Sequence, residues 1–145
     1  MAEIAYHPPF DVSVVTPDGP VFSGEAHMLI VPGAAGEIGV LARHAPLVAT
    51  LKAGSTRVHL GGNEILEFAT GPGFFKVELD RALALVDDAV NVKEIDDSRA
   101  QAQLDAAKAE LEKVEAGDST ADRWQLEQRI RHAENQLSVS GRTTG

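Results

Sequence analysis

The chain has 145 residues, 43% hydrophobic and 24% charged, the composition of a folded soluble protein with room for one domain and an appendage. A formal charge of −9 argues against nucleic acid as a partner, because phosphate binding needs a basic surface. Without cysteine there is neither a disulfide framework nor thiolate chemistry, which points to a reducing compartment. The opening MAEIAYHPPF has no basic region followed by a long apolar run, so no secretory signal is expected. No stretch reaches the roughly 18 apolar residues of a membrane-spanning helix.

From Phe10 to about Asp88 turn residues recur every 8–12 positions: Pro17-Asp18-Gly19, Pro32-Gly33, Gly54, Gly61-Gly62-Asn63 and Gly71-Pro72-Gly73. Between them lie short runs of Val, Ile, Leu and Phe. Phe10, Val12 and Val14 alternate with Asp11 and Ser13, and Val58 and Leu60 alternate with Arg57 and His59. A period of two with one wet face predicts antiparallel strands, and eight to ten of them predict a β-sandwich or flattened barrel.

One stretch of this region, GEIGVLARHAPLVA (36–49), gathers polar chemistry. Its apolar runs, Ile38 to Leu41 and Leu47 to Ala49, read as strands around a loop carrying Arg43, His44 and Pro46, with Glu37 just ahead. Glu37 and His44 flank one short strand and are expected at the same end of the sandwich. An acid–base pair without a nucleophile is a weak basis for catalysis. A structural loop and a docking surface for a charged partner both remain open at this point.

After Val92 the period changes. Ala100, Leu104, Ala107, Leu111 and Val114 recur at spacings of four and three with charges between, which predicts an amphipathic helix with a narrow seam. Asp96 is placed to cap its start and Gly117 to end it. Ser119 and Asp122 suggest a capping box for a second helix, whose seam is Leu126, Ile130, Ala133 and Leu137. Glu127 and Arg131 are spaced for an ion pair one turn apart. A turn of four or five residues would make the two helices an antiparallel hairpin with a weak, alanine-rich seam. The expected division is therefore residues 1–90 as β-sandwich and 91–145 as helical hairpin. Charge is unevenly spread: residues 1–90 hold 5 basic and 11 acidic side chains, net −6, and residues 91–145 hold 8 and 11, net −3.

No metal or nucleotide-loop motif stands out. His7, His27, His44, His59 and His132 are scattered, and Asp87-Asp88 and Asp96-Asp97 read as a strand end and a helix start. There is no GxxxxGK[ST] and no GxSxG, and Gly71-Pro72-Gly73 reads as a hairpin turn.

Four stretches in order, VVTPDGPVFSGEA (14–26), GEIGVLARHAPLVATLKAG (36–54), ATGPGFFKV (69–77) and EIDDSRA (94–100), resemble the ε subunit of F-type ATP synthases. The resemblance runs from Phe10 to about Val139, and its most specific part is G-E-x-G-x-L-x-x-H-A-P-L followed by L-K-x-G. It implies a β + α fold, a ten-stranded β-sandwich followed by a two-helix hairpin. It also implies a non-catalytic rotor subunit that joins the γ subunit to the c-ring and couples proton flow to ATP synthesis. Glu37, Arg43 and His44 match the region that lies against the c-ring loops. The hairpin is implied to inhibit ATP hydrolysis by extending toward the α/β catalytic subunits, with Arg123, Arg129 and Arg131 as cations for acidic surfaces there. No cofactor is required and no metal site is expected. Some relatives bind regulatory ATP through an I/L-D-x-x-R-A motif, matched here by Ile95, Asp96, Arg99 and Ala100. Val90 stands where ATP-binding relatives have an acid, and His132 and Gln136 where they have arginines, so ATP binding is expected to be weak or absent. The implied location is peripheral, on the cytoplasmic face of a bacterial plasma membrane, with a plastid membrane as the alternative. An unrelated sandwich adaptor that presents its hairpin to another complex is the competing reading.

Overall fold

The structure, a computed structural model, describes residues 7–144. Met1–Tyr6, part of the segment read for a secretory signal, and Gly145 lie outside the described residues. The chain forms two compact units, divided between Asn91 and Val92.

The first unit holds ten strands: β1 (Phe10–Thr16), β2 (Gly19–Ala26), β3 (Met28–Gly33), β4 (Gly36–Val40), β5 (His44–Leu51), β6 (Gly54–Gly61), β7 (Glu64–Thr70), β8 (Gly73–Leu79), β9 (Arg81–Val86) and β10 (Ala89–Asn91). They pair in the order β10-β7-β6-β3-β5-β8-β9-β1-β2, with β4 on β3. A single pairing, Gly33 with Leu51, joins the β4-bearing half to the β5–β8–β9–β1–β2 half. The two halves enclose one core around Val12, Val14, Leu29, Val31, Val40, Leu51, Val58 and Phe75. This is the expected ten-stranded sandwich. In β1 the alternation holds: Phe10, Val12 and Val14 are buried while Asp11 is exposed.

Several local expectations change. Pro32 and Gly33 are not a turn. They finish β3, with Pro32 opposite Glu37 and Gly33 opposite Gly36, so the turn falls at Ala34–Ala35. His44, Ala45 and Pro46 belong to β5 instead of a loop, and Pro46 sits where the β5–β8 register shifts between His44 and Leu47. That is where a residue without an amide hydrogen is tolerated. In β6, His59 is buried along with Val58, so this strand lacks the wet face that its alternation suggested.

Gly71-Pro72-Gly73 is not a hairpin turn either. β7 pairs with β6 and β10, whereas β8 pairs with β5 and β9, so this link carries the chain from one half to the other. The β9–β10 link crosses back beside it: the Gly71 amide donates to the Asp88 carbonyl (2.8 Å) and the Asp87 amide to the Pro72 carbonyl (3.1 Å). The backbones approach so closely that a Cβ on Gly73 would stand 1.9 Å from the Leu85 carbonyl oxygen. β1 runs parallel to β9, the exception among otherwise antiparallel pairings, because the first strand is inserted beside the ninth.

The second unit opens with a short 3₁₀ turn, Val92–Glu94, followed by α1 (Asp97–Glu115) and α2 (Arg123–Thr144). Asp96 caps α1 by accepting from the Arg99 amide, and Gly117 follows the last turn at φ 81°, a conformation that costs glycine little. Ala100, Leu104 and Ala107 of α1 and Leu126, Ala133 and Val139 of α2 are buried, and the helices pack on one another as the two arms of a hairpin. The connection is seven residues, 116–122, longer than expected. The capping box does not form. Asp122 itself caps α2, accepting from the Trp124 and Gln125 amides, while Ser119 accepts from the Ala121 amide and donates to Glu110.

Candidate functional site

The stretch 36–49 is divided between the halves of the sandwich. Glu37 lies on β4, which hangs on β3, and its carboxylate takes two hydrogen bonds from Arg57 Nη2 at 3.1 and 2.9 Å. His44 opens β5 opposite Leu79 of β8, and its Nδ1–H donates to the Ala45 carbonyl at 2.7 Å. Glu37 and His44, expected at one end of the sandwich, are instead separated by the length of β4: Glu37 lies beside the β3–β4 turn and His44 follows the other end of the strand. Arg57, which no sequence pattern singled out, partners the acid because β3 sets β6 beside it.

Arg43 adopts φ 63° and Leu79 φ 51°. Left-handed backbone costs a non-glycine residue about 1–2 kcal/mol, and such strain persists only where surrounding structure holds it. Here the Arg43 amide donates to Asp80 Oδ1 at 3.1 Å, so the 41–43 loop is tied to the β8–β9 turn. Leu79 stands 71% exposed beside it. Arg43, His44, Leu79 and Asp80 thus make one edge of the sandwich. Leu79 and Asp80 escape sequence reasoning, because only the pairing of β5 with β8 brings them there.

A second surface also went unread. Phe74 and Leu85 are cross-strand neighbours on β8 and β9, 63% and 46% exposed, and Val48 on β5 is 72% exposed. The signal was present in Phe74-Phe75. In a strand with one buried face, two consecutive aromatics cannot both point inward, and Phe75 is the buried one. Val48, Phe74 and Leu85 thus expose apolar side chains on the outer face of neighbouring strands.

In the hairpin, Asp96 is occupied as a helix cap, Ala100 is buried in the seam, Ile95 is half-buried and Arg99 is exposed. The neighbouring open depression is lined by Asp97, Ser98, Gln101, Ala102, Asp105 and Leu137. Its two carboxylates oppose the approach of phosphate. Arg123 lies between Glu115 and Glu127, 3.1 Å from each. Glu127 therefore pairs backward to Arg123 and not forward to Arg131. Arg129 and Arg131 are exposed and meet no carboxylate among the described residues. Trp124, in the first turn of α2, is 66% exposed. Among the described residues no cluster of His, Cys, Asp and Glu is arranged to hold a metal.

Residues 9–92 match the family model of the ATP synthase delta/epsilon chain β-sandwich domain. The "ATP synthase epsilon chain" of Halalkalibacterium halodurans is 37% identical over 135 residues, covering 93% of this chain and 99% of that one. The protein of the same name from Laribacter hongkongensis is 40% identical over 111 residues, covering 76% and 79%. A chain of the Euglena gracilis mitochondrial ATP synthase (OSCP/F1/c-ring) superposes with a TM-score of 0.69 at 22% identity, covering 90% of this chain and 80% of that one, which speaks to the fold. Both units, the sandwich and the hairpin, fall within the Halalkalibacterium match, and the chain belongs to the epsilon-chain family of ATP synthases.

Proposed function

We propose that this chain is a non-catalytic subunit of the central stalk of an F-type ATP synthase. It couples proton translocation to ATP synthesis and restrains ATP hydrolysis through its hairpin. The observation that carries the reading is the 37% identity to an epsilon chain across both units. The same match displaces the unrelated adaptor.

Three surfaces take three partners. The edge formed by Arg43, His44 and Leu79 is the foot that meets the polar loops of the c-ring. Glu37, at the opposite end of β4, makes a separate contact with those loops by exchanging Arg57 for a basic group on them, a swap between exposed pairs each worth about 0–1 kcal/mol. The exposed face with Val48, Phe74 and Leu85 receives γ. The extended hairpin offers Arg129 and Arg131 to acidic surfaces of the α/β subunits, and Arg123 follows once its contacts with Glu115 and Glu127 part. ATP binds weakly or not at all, since Asp96 and Ala100 of the motif serve the helix itself and the adjoining depression is acidic. The subunit then sits peripherally on the cytoplasmic face of a bacterial plasma membrane, held by its partners.

The test is ATP hydrolysis by the matching complex stripped of its own ε, with the full chain or a form ending at Asn91, the last residue of the sandwich, added back. Rebinding of both with suppression by the full chain alone is the expected outcome. If both rebind with equal activity, the hairpin is not the brake; if neither binds, the stalk assignment falls. Isothermal titration of ATP into the isolated chain checks the weak-binding claim, and tight binding would refute it.

A further inference from the structure

We propose that Asp80 is a positioning residue of the docking foot, whose carboxylate holds Arg43 in the left-handed conformation that presents the Arg43–His44 edge to its partner. The inference rests on the stalk reading above and adds a residue to it. Asp80 lies 37 positions from Arg43 in sequence, yet its Oδ1 accepts from the Arg43 amide at 3.1 Å. Its own backbone is anchored, because the Asp80 carbonyl accepts from the Asp11 amide at the start of β1 (2.9 Å). The carboxylate is therefore a fixed acceptor supplied by the β8–β9 turn to a loop on another strand.

The bond has a specific task. At φ 63° Arg43 adopts a conformation that disfavours any residue with a Cβ, and a hydrogen bond to a charged acceptor is of the same order as that penalty. Without it, residue 43 is expected to relax toward ordinary backbone and carry His44 with it. The carboxylate engages the amide and not the guanidinium. The Arg43 side chain is exposed and meets no carboxylate among the described residues, so it stays available for a partner. Glu37 differs, since its charge is already matched by Arg57. Arg43 is thus the uncompensated charge of the foot, and Asp80 determines where it points.

The experiment titrates full-length chains into an ATP synthase depleted of its own ε and reads the concentration that half-restores ATP-driven proton pumping. Melting of each isolated chain is measured alongside. Asp80→Ala is expected to raise the half-restoring concentration by about fivefold to thirtyfold, the equilibrium equivalent of the left-handed penalty of about 1–2 kcal/mol at one residue. Asp80→Asn, which keeps the acceptor oxygen, is expected to stay within about twofold of wild type. In an Arg43→Gly background, where positive φ carries no steric penalty, adding Asp80→Ala should change nothing further. Wild-type affinity for Asp80→Ala, or the same loss in the Arg43→Gly background, overturns the role while leaving the stalk reading intact. Failure of the wild-type chain to restore pumping overturns the stalk reading, and this inference falls with it.

Discussion

Leu104→Ala tests whether the hairpin is as weakly held as its composition indicates. Among the described residues two leucines, Leu104 and Leu126, are buried in the seam, at 6% and 4% exposure; most of the other buried positions are alanine. The substitution removes three carbons, about 2.4 kcal/mol at roughly 0.8 kcal/mol each, and the residual cavity brings the cost to about 3 kcal/mol. That corresponds to about a hundredfold shift in the opening of the helices. Hydrogen exchange on the full chain reads it directly. Amides of α1 and α2 should exchange about a hundredfold faster, while amides of β1, β6 and β8 keep their protection. In the reconstituted synthase the variant should inhibit hydrolysis at lower concentration than wild type, because a looser hairpin extends more readily. Unchanged exchange in the helices, or equal acceleration in the sandwich, would refute the reasoning.

Burial, and then the Arg57 charge, hold the His59 imidazole below its ordinary pKa of 6.5, and its Nε2 finds no partner among the described residues. The unfolded chain therefore takes up this proton first. Stability should be full above about pH 6.5 and decline as pH falls below it, and His59→Leu should flatten that slope in thermal melts. Gly73→Ala drives a Cβ into the Leu85 carbonyl and should cost about 3 kcal/mol or more in chemical denaturation. Gly39→Ala on β4, where a Cβ meets nothing within 4 Å, should change stability by less than about 0.5 kcal/mol. Asp96→Ala should cost α1 about 1 kcal/mol, visible as faster exchange confined to its first turn.

What the sequence determined by itself is whatever depends on near neighbours. The period of two in Phe10–Val14, the switch to a period near 3.6 after Val92, the Asp96 cap and the Gly117 stop rest on contacts within a few residues, and all appear in the structure. So does the family resemblance, whose motifs span both units. Where local signals competed, the short-range reading failed. Pro32-Gly33 and Gly71-Pro72-Gly73 carry turn chemistry, yet one finishes a strand and the other crosses between the halves, because strand order decides what a glycine serves. Tertiary structure alone decided the parallel β1–β9 pairing, the Glu37–Arg57 ion pair 20 residues apart and the Arg43–Asp80 clamp 37 apart. Such pairings depend on which strands become neighbours. Side-chain periodicity tells which face of a strand is buried, but not which strand lies beside it.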